Sequence, residues 1–311
     1  MSQSSQADID LAPIALFVYN RPDHTRLTVE ALLENELSAQ SDLFIYSDAA
    51  RKPEDAQAVL NVRSYLTKIK GFKTVTIIER PVNFGLAKSI IDGVTSICER
   101  NGKVIVLEDD LITSRYFLGY MNNALVKYAA EEKIISVHGY CYPVTHPLPE
   151  VFFLRGADCW GWATWKRGWD LFEHDANKLY SRLQASGEQR EFDFDGQYPY
   201  TEMLKQQIEG RVNSWAIRWY ASAFLANRLT LYPGVSLVQN IGNDNSGTHK
   251  GNTDLFKGKI ALRPVVLEDM AIVASDEGYK AFREYFYTLR PTLIQRLKIK
   301  AKKILNKWQA N

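Results

Sequence analysis

Three consecutive carboxylates, Glu108, Asp109 and Asp110, directly follow the apolar run 104–107. A short apolar run of this kind is typical of a buried strand, so the carboxylates are expected where that strand ends. Neighbouring carboxylates offer the oxygen ligands that hard divalent cations prefer, and such a cation can in turn hold phosphate oxygens. The pattern therefore favours a cation-assisted site for a phosphate-bearing ligand over its alternative, an ordinary solvated acidic turn.

The segments around this triplet alternate between strand-like and helix-like patterns. The last helix-like segment has apolar residues at helical spacing, at Ile90, Val94 and Ile97. Strands that alternate with helices predict an α/β fold, with a mainly parallel sheet flanked by helices. The predicted strands cover 14–19, 43–46, 74–79 and 104–107, and the predicted helices cover 24–37, 54–69 and 86–100.

Polar side chains also follow the other three predicted strands. Asn20 and Arg21 come after the first strand, Asp48 after the second and Asn83 after the third. Each of these residues alone is consistent with a turn or a helix cap. Because the carboxyl ends of parallel strands meet at one edge of a sheet, all of them are expected to converge there with the acidic triplet. Four such groups on one edge favour a ligand-binding cleft.

Aromatic residues are concentrated in the middle of the chain, within 134–218, which we interpret as a mixed region. Their densest point is the segment 158–165, which contains three tryptophans, and Trp169 follows it. Aromatic faces suit the apolar faces of sugar rings, but tryptophan is also a large core residue, and the core interpretation is favoured for most of these tryptophans. Gly161 lies between two tryptophans and predicts a close approach of the backbone to another part of the molecule.

A further helix and two short strands are predicted before a polar loop. The helix is capped by Asn213 or Ser214 and ends at Ala226, and the strands cover 230–232 and 235–238. The stretch 240–249 is rich in glycine and asparagine and must be a loop. Its His249 is a candidate metal ligand or phosphate contact, although a lone loop histidine is more often neither.

The composition is that of a folded globular protein, with 46% hydrophobic and 24% charged residues in a chain of 311. The three cysteines, Cys98, Cys141 and Cys159, are too few and too scattered for a disulfide framework or a zinc knuckle, which favours a reducing compartment. The sequence has no recognisable signal peptide and no apolar run of the roughly 20 residues that span a membrane. We therefore expect a cytoplasmic protein.

Positive charge is concentrated at the end of the chain. Seven cations and no acid lie from Arg290 onward, and without them the net charge changes from +2 to −5. An acidic body with a basic tail argues against nucleic-acid binding. The tail is predicted to be an amphipathic helix that either lies on anionic lipid at the inner face of the cell membrane or packs on the body. The apolar residues at helical spacing are Leu293, Leu297, Ile304 and Trp308.

Together these motifs resemble those of GT-A glycosyltransferases. The triplet 108–110 resembles the family's DxD-type metal motif, in the Glu-Asp-Asp form of the Golgi N-acetylglucosaminyltransferase that initiates complex N-glycans. The segments 14–22 and 83–88, with Asp48 between them, resemble the nucleotide-binding half of that enzyme and of family 2 bacterial glycosyltransferases. The segment 229–233 followed by His249 resembles the carboxyl-terminal part of family 2 domains. The resemblance covers residues 12–250 and is most specific in the first 112.

The resemblance implies a GT-A type, Rossmann-like fold and transfer of a sugar from a nucleotide-diphosphate donor to a glycan or a lipid-linked acceptor, in surface polysaccharide or lipopolysaccharide synthesis. It implies Mn²⁺ or Mg²⁺ as the cofactor, held by Asp110 with His249. Asp109 would contact the ribose or a metal-bound water, Asp48 the nucleobase, and Arg21 the base or the diphosphate. The implied donor-binding set is completed by Asn20, Asn83, Lys88 and Glu108. We place Trp160, Trp162 and Arg218 on the acceptor side.

One position departs from this family pattern. Inverting relatives have an acid at the start of the late helix that deprotonates the acceptor hydroxyl, whereas this sequence has Asn213, Ser214 and Ala216 there. Neither asparagine nor serine can act as that base unaided. We predict that Asp158 supplies the base, while a retaining mechanism or a loss of activity would also fit. The other candidate bases are Asp195, Glu202 and Glu209.

We predict that the chain is divided into a flexible terminus (1–11), a nucleotide-sugar half (12–112), an acceptor half of the same domain (113–265) and a helical tail (266–311). A sugar-1-phosphate nucleotidyltransferase is the main alternative, but the segment 19–23 lacks the glycine that its phosphate loop requires. A non-catalytic carbohydrate-binding protein would explain the aromatic residues but not the acids at the sheet edge. A P-loop kinase is disfavoured because no GxxxxGK[ST] motif is present.

Overall fold

The computed structural model describes residues 10–244 and 254–290. Within these ranges an eight-stranded sheet has the order β3-β2-β1-β4-β8-β6-β9-β7, and β5 and β10 form a second, two-stranded sheet. The strands are β1 (Ile14–Val18), β2 (Asp42–Ser47), β3 (Thr74–Glu79), β4 (Lys103–Glu108), β5 (Leu111–Thr113), β6 (Ile134–His138), β7 (Val151–Arg155), β8 (Trp162–Trp165), β9 (Leu229–Pro233) and β10 (Val238–Asn240).

Helices connect most of these strands. Those with a side-chain cap are α6, α9 and α10, where Asp175, Ser214 and Ser275 accept hydrogen bonds from backbone amides of the first turn. The helices are α1 (Pro22–Leu33), α2 (Ala56–Leu66), α3 (Leu86–Asn101), α4 (Phe117–Lys127), α5 (Lys166–Trp169), α6 (Ala176–Ser186), α7 (Gln189–Phe192), α8 (Tyr200–Ile208), α9 (Trp215–Leu225) and α10 (Asp276–Thr288).

The first four strands are parallel, with β1 between β2 and β4 and with β3 at the edge. Every residue of β1 is buried because helices cover both faces of the sheet. Ile14, Leu16 and Val18 share one apolar cluster with α1, α2 and α4. Ala15 and Phe17 share another cluster with α3 and α9 on the opposite face. This arrangement confirms the predicted α/β fold with a mainly parallel sheet flanked by helices.

Strand β8 runs antiparallel between β4 and β6, so that Trp162 lies opposite Val106 on one side and His138 on the other. Beyond β6 the sheet continues with β9, which is parallel to it, and ends with the antiparallel β7. The sheet is therefore continuous across residue 112, where we place the boundary between the two predicted halves. The start of β8 lies at the same edge as the carboxyl ends of β4 and β6, because β8 runs in the opposite direction.

Several predicted element boundaries differ from the observed ones. The first helix ends at Leu33 rather than at residue 37, because residues 38–40 form a separate 3₁₀ turn before β2. The strand predicted over 235–238 is β10, which is shifted to Val238–Asn240 and pairs with β5 beside the acidic triplet. The sequence offered Asn213 or Ser214 as the cap of the late helix, and Ser214 is the observed cap of α9.

The cysteines, the predicted lack of a membrane-spanning segment and the C-terminal tail were also subjects of prediction. Cys98, Cys141 and Cys159 are free thiols. No helix in residues 10–244 and 254–290 has the length and apolar character needed to cross a membrane. The segment 291–311, with its predicted amphipathic helix, and His249 both lie outside the described residues. The part of the predicted tail that is described contains α10, which packs on β7 through Phe282, while Phe286 packs on Tyr142, Phe194 and Tyr198 in the same apolar cluster.

Candidate functional site

The polar groups that follow the first four strands lie at one edge of the sheet, as predicted, because these strands are parallel. They form two connected groups rather than one. Arg21, after β1, contacts the acids after β4. Asn83, after β3, contacts Asp48 after β2. The edge therefore contains a charged group at its centre and a hydrogen-bonded group toward β3.

Arg21 lies between two carboxylates of the acidic triplet. Its Nη2 is 3.0 Å from Oδ2 of Asp110, and the same nitrogen donates to Oδ1 of Asp109. Asp109 is buried, and its other carboxylate oxygen accepts a hydrogen bond of 3.4 Å from the backbone amide of Tyr19. The hydroxyl of Thr28 donates to the carbonyl of Asp109 at 2.8 Å. These contacts hold the turn after β4 against β1 and α1.

The charges of these groups strongly affect one another. Burial raises the pKa of Glu108 to about 8, and the neighbouring charges of Asp110 and Asp109 add to the effect. Burial also raises the pKa of Asp109 to about 6, although Arg21 opposes the shift. For Arg21, burial acts against the charged form, but the two aspartates outweigh it and raise its pKa above the ordinary value. Arg21 is therefore a permanent positive charge within the carboxylate group.

A second part of the chain closes over this ion pair. The amide of Ile241 donates to the carbonyl of Asp110 at 2.8 Å, which continues the pairing of β10 with β5. A Cβ atom at Gly242 would lie 2.1 Å from Oδ2 of Asp110 and 3.0 Å from Nη1 of Arg21. A larger residue here would displace the Asp110 carboxylate from its present contact with Arg21. Sequence analysis did not single out Gly242, although its position in the glycine- and asparagine-rich loop was a usable signal.

Asp48 organises the loop between β3 and α3. Its Oδ1 accepts from the amides of Ala49 and Phe84 at 2.9 and 2.8 Å, and its Oδ2 accepts from the amide of Gly85 at 2.8 Å and from Asn83 Nδ2 at 3.1 Å. Asp48 is buried, so these four donors replace water around its charge. The carboxylate that we predicted to bind the nucleobase thus also fixes the backbone around it.

Asn20 and Lys88 contact protein groups at the same edge. Asn20 donates to Asp55 Oδ1 at 3.0 Å, and the hydroxyl of Tyr19 donates to the other oxygen of the same carboxylate at 2.9 Å. The ammonium group of Lys88 lies 4.1 Å from the centre of the Phe84 ring. Both side chains thus contact other groups of the protein, and their roles in donor binding stay predictions.

Asp158 lies in the turn before β8, beside the acidic triplet. Its Oδ1 accepts from the amide of Cys159 at 2.8 Å, and its Oδ2 accepts from the hydroxyl of Tyr142 at 3.2 Å. Burial raises the pKa of the Cys159 thiol, and the nearby charges of Asp158 and Glu108 add to the shift. Trp162 at the start of β8 pairs with Val106 in β4, so the turn that carries Asp158 adjoins the end of β4. The predicted base is therefore close to the predicted cation-binding acids.

The residues that we placed on the acceptor side have different environments. Trp160 is half-buried, with its ring 4.7 Å from that of Tyr140. Trp162 is fully buried in a cluster with Trp169, Trp215 and Trp219, so it belongs to the core and has no surface for an acceptor. The assignment of Trp162 to the acceptor side is therefore corrected, because its side chain fills the space between the sheet and α9.

Arg218 is also buried. Its guanidinium donates to the carbonyls of Ser214 and His174 at 3.1 and 3.4 Å, and to Asn213 Oδ1 at 3.3 Å. Burial lowers its pKa below the ordinary value. These hydrogen bonds tie the start of α9 to the segment before α6, and a contact of Arg218 with an acceptor stays a prediction.

The other candidate bases are engaged in ion pairs. Asp195 contacts Arg283 at 2.9 Å and Arg190 at 3.3 Å. Glu202 and Glu209 both contact Arg211 on the surface. Asp158 differs from them because its hydrogen bonds come from an amide and a hydroxyl rather than from a cation.

The carboxylates at the end of β4 can be tested for their fit to a divalent cation. In residues 10–244 and 254–290, no group of three or more histidine, cysteine, aspartate and glutamate side chains is arranged to hold a metal ion. Two carboxylate oxygens, from Asp109 and Asp110, nevertheless converge on a single atom, Nη2 of Arg21. Magnesium-type sites commonly use one or two carboxylates and complete their coordination with substrate phosphates. The donor set fits a cation that arrives with a phosphate-bearing ligand.

Comparison with known proteins adds little to this picture. No protein-family model matches the chain, and no curated protein matches it. Among solved structures it is similar to the mannosyltransferase PcManGT from Pyrobaculum calidifontis, solved with GDP-Man and Mn²⁺, with a TM-score of 0.28, 16% identity, and coverage of 44% of this chain and 39% of that chain. It is also similar to S. aureus TarS, with a TM-score of 0.30, 11% identity, and coverage of 44% and 23%.

The chain thus spans well under half the length of either neighbour. Similarities with TM-scores this low carry no argument about activity.

Proposed function

We propose that this chain is a metal-dependent glycosyltransferase of the GT-A type, which moves a sugar from a nucleotide-diphosphate donor to a saccharide or a lipid-linked glycan. The observation that carries the proposal is the convergence of Asp109, Asp110 and Arg21 at the carboxyl end of β4, beside Asp158. Carboxylates and a guanidinium at this edge of a parallel sheet suit a diphosphate and its cation. A role in surface polysaccharide or lipopolysaccharide synthesis rests on the sequence resemblance alone.

Asp110 and Asp109 would hold the cation, Mn²⁺ or Mg²⁺, through the oxygens that now face Arg21. Such a cation stabilises the negative charge that develops on the departing nucleoside diphosphate. Arg21 would add a second positive charge on the same side of the donor. Asp48 would keep the loop of residues 83–85 in place, so that Asn83, and Lys88 in the first turn of α3, would contact the nucleotide-sugar.

Asp158 would take the proton from the acceptor hydroxyl. Its carboxylate is fixed by the Cys159 amide and the Tyr142 hydroxyl, and no lysine or arginine ion pair neutralises it within the described ranges. The neighbouring His138 has a pKa lowered to about 4 by burial, so it is neutral at physiological pH and leaves the negative charge on Asp158. Trp160, half-buried beside this carboxylate, would offer a ring face to the acceptor sugar.

A thermal-shift experiment with the full chain tests the donor part of the proposal. UDP, GDP, ADP, CDP and dTDP are compared with and without Mn²⁺, and at least one should raise the melting temperature only when Mn²⁺ is present. Nucleotide-sugars that carry these same nucleotides are then screened for release of the nucleotide. If no nucleotide stabilises the protein with Mn²⁺, the proposal is wrong, and pyrophosphate release from a nucleoside triphosphate would favour a nucleotidyltransferase instead.

Asp110→Asn gives the matched test of the site. The variant should lose the Mn²⁺-dependent stabilisation and the nucleotide release, because it removes one of two charged oxygen ligands. Asp170→Asn is the control, since Asp170 is exposed and, within the described ranges, forms its ion pair with Lys166 four residues earlier. Unchanged Mn²⁺-dependent binding and turnover in Asp110→Asn would contradict the proposal.

A further inference from the structure

Arg21 occupies the point at which a divalent cation would bind. Its Nη2 contacts one oxygen of Asp109 and one oxygen of Asp110, and both acids are largely buried, with 4% and 15% of their side chains exposed. A cation held by these two oxygens would need the position of that nitrogen. The guanidinium and the cation therefore cannot both make these contacts.

The backbone of Arg21 is fixed, so only its side chain can leave this position. Its carbonyl accepts hydrogen bonds of 2.9 Å from both the amide and the hydroxyl of Thr25 in the first turn of α1. The main chain at Gly242 packs against Asp110 and Arg21 from the other side. The displaced guanidinium would thus stay within a side-chain length of the two carboxylates.

A cation that arrived alone would leave this guanidinium without a partner. A partly buried charge that has lost its partner is strongly unfavourable. A cation that arrives with a diphosphate brings a new anion, and the planar guanidinium fork matches phosphate oxygens with two parallel hydrogen bonds. The cost of displacing Arg21 is therefore offset only when the nucleotide is present.

We propose that Arg21 is an internal counter-cation that competes with the divalent cation for Asp109 and Asp110 and transfers to the diphosphate when the cation binds, so that the cation and the nucleotide bind cooperatively. The part of this inference that concerns the diphosphate rests on the proposed function. The competition between Arg21 and the cation rests only on the geometry of the two carboxylates. In this scheme Arg21 couples the two ligands, in addition to contacting the donor.

Calorimetric titration of the full chain with Mn²⁺ alone, and with Mn²⁺ in the presence of GDP or UDP, measures this coupling. In the wild type the nucleotide should strengthen Mn²⁺ binding by a factor within the usual range for coupled sites, about 5–150-fold. In Arg21→Met, Mn²⁺ alone should bind about tenfold more tightly or better, because its competitor is gone, and the coupling factor should fall below the wild-type value, to the part that direct contact between Mn²⁺ and the diphosphate supplies. Arg26→Met is the control, since Arg26 lies in α1, which Arg21 precedes, and among the described residues its ion pair is with the exposed Glu30.

Arg21→Lys guards against a loss of folding in the methionine variant, which is checked by circular dichroism. Lysine retains the positive charge but lacks the fork, so its affinity for Mn²⁺ alone should lie between those of the wild type and Arg21→Met. Equal Mn²⁺ affinity in wild type, Arg21→Met and Arg21→Lys would overturn the inference. A wild type that binds no nucleotide with Mn²⁺ would instead contradict the proposed function, and the titrations with Mn²⁺ alone would still decide whether Arg21 holds the cation position.

Discussion

His138 Nε2 lies 3.8 Å from Oδ2 of Asp158, in a position where the imidazole is completely buried. Within the described ranges, neither ring nitrogen of His138 has a hydrogen-bond partner. The surrounding rings of Tyr140 and Tyr232 contact the imidazole edge to face. Burial lowers the pKa of His138 to about 4, although the charge of Asp158 opposes the shift. The candidate base therefore lies beside a neutral histidine that the fold prevents from accepting a proton near neutral pH.

This relationship predicts a loss of stability in mild acid. Unfolded His138 binds a proton near its ordinary pKa of about 6.5, whereas the folded protein resists protonation until about pH 4. The free energy of unfolding should therefore decrease as the pH falls between these values, by up to about 3 kcal/mol. Urea denaturation of the wild type and of His138→Phe at pH 7 and pH 4.5 measures this change in the free energy of unfolding. A wild type and variant with parallel pH dependence would contradict the prediction.

Glu108 should have the opposite effect on the pH dependence of stability. Burial raises its pKa to about 8, with Asp110 and Asp109 adding to the shift, so the folded protein retains a proton that the unfolded chain has lost. Without divalent cations, the free energy of unfolding should decrease as the pH rises from about 4.5 to 8. Glu108→Gln removes this charge and should be more stable than the wild type above pH 8, by about 1 kcal/mol or more. Urea denaturation of the wild type and of Glu108→Gln in EDTA, at pH 5 and pH 9, measures this effect. The same difference in the free energy of unfolding at both pH values would contradict the prediction.

Asp158→Asn should separate chemistry from donor binding. If Asp158 accepts the proton of the acceptor, the rate of transfer should fall by roughly 10²–10⁴-fold while the affinity for the nucleotide with Mn²⁺ is unchanged. The comparison variant is Asp195→Asn, which removes a carboxylate that pairs with Arg283. Steady-state rates and nucleotide titrations distinguish the outcomes. A loss of donor binding in Asp158→Asn would assign this residue to the sugar pocket and leave Asp195, Glu202 and Glu209 as candidate bases.

Asp48→Asn should destabilise the fold as well as affect the site. Asparagine replaces one of the two acceptor oxygens of Asp48 with an NH₂ group, which cannot accept a hydrogen bond. One or more of the four hydrogen bonds to Asp48 will therefore be lost. We expect a loss of about 2 kcal/mol, in the range for hydrogen bonds to a buried charged group. Thermal denaturation of Asp48→Asn is compared with that of the exposed control, Asp170→Asn. A change no larger than that of the exposed control would mean that the loop holds its shape without this carboxylate.

The basic tail should attract anionic lipid. The seven cations from Arg290 onward, together with the apolar stripe at Leu293 and Leu297, predict contact with anionic lipid of about 1 kcal/mol for each cation near the surface. Liposome co-sedimentation compares the full chain with a version that ends at Leu289, using neutral and anionic vesicles at low and moderate salt. Only the full chain should pellet, and only with anionic vesicles. Equal pelleting of both proteins would contradict a membrane role for the tail.

The sequence predicted the parallel half of the sheet and the convergence of its polar ends, because the alternation of apolar strands and helices is a local signal. The contacts within the edge could not be predicted in the same way. Arg21 reaches Asp109 across 88 positions, and Asp48 takes up donors from a loop that begins 35 positions later. Residue types identify such groups as polar, but only the packed structure determines which of them satisfy one another.

Two other features could not be predicted from local patterns. The aromatic composition of the segment does not show that Trp162 is buried against α9 while Trp160, two positions earlier, is half-buried. The two side chains would share one face of a regular strand, but β8 begins only at Trp162, and Gly161 between them has a φ of 63°. The close approach of the main chain at Gly242 to Asp110 joins segments that are far apart in sequence. The glycine-rich composition of the loop indicates a tight backbone but does not show which side chain it meets.

The antiparallel insertion of β8 has a consequence for how such a molecule can diversify. Val106 lies two residues before Glu108, and its ladder partner Trp162 lies four residues after Asp158. The ladder thus fixes the start of β8 against the end of β4, and the short turn before β8 sets the remaining distance from Asp158 to the carboxylates after β4. Variants with new loops after β6 could acquire different acceptors while this turn and the ladder keep the separation of the two groups. A shift of β8 by a single position would move Asp158 by about one strand residue, roughly 3.4 Å, and would turn Trp162 out of its cluster.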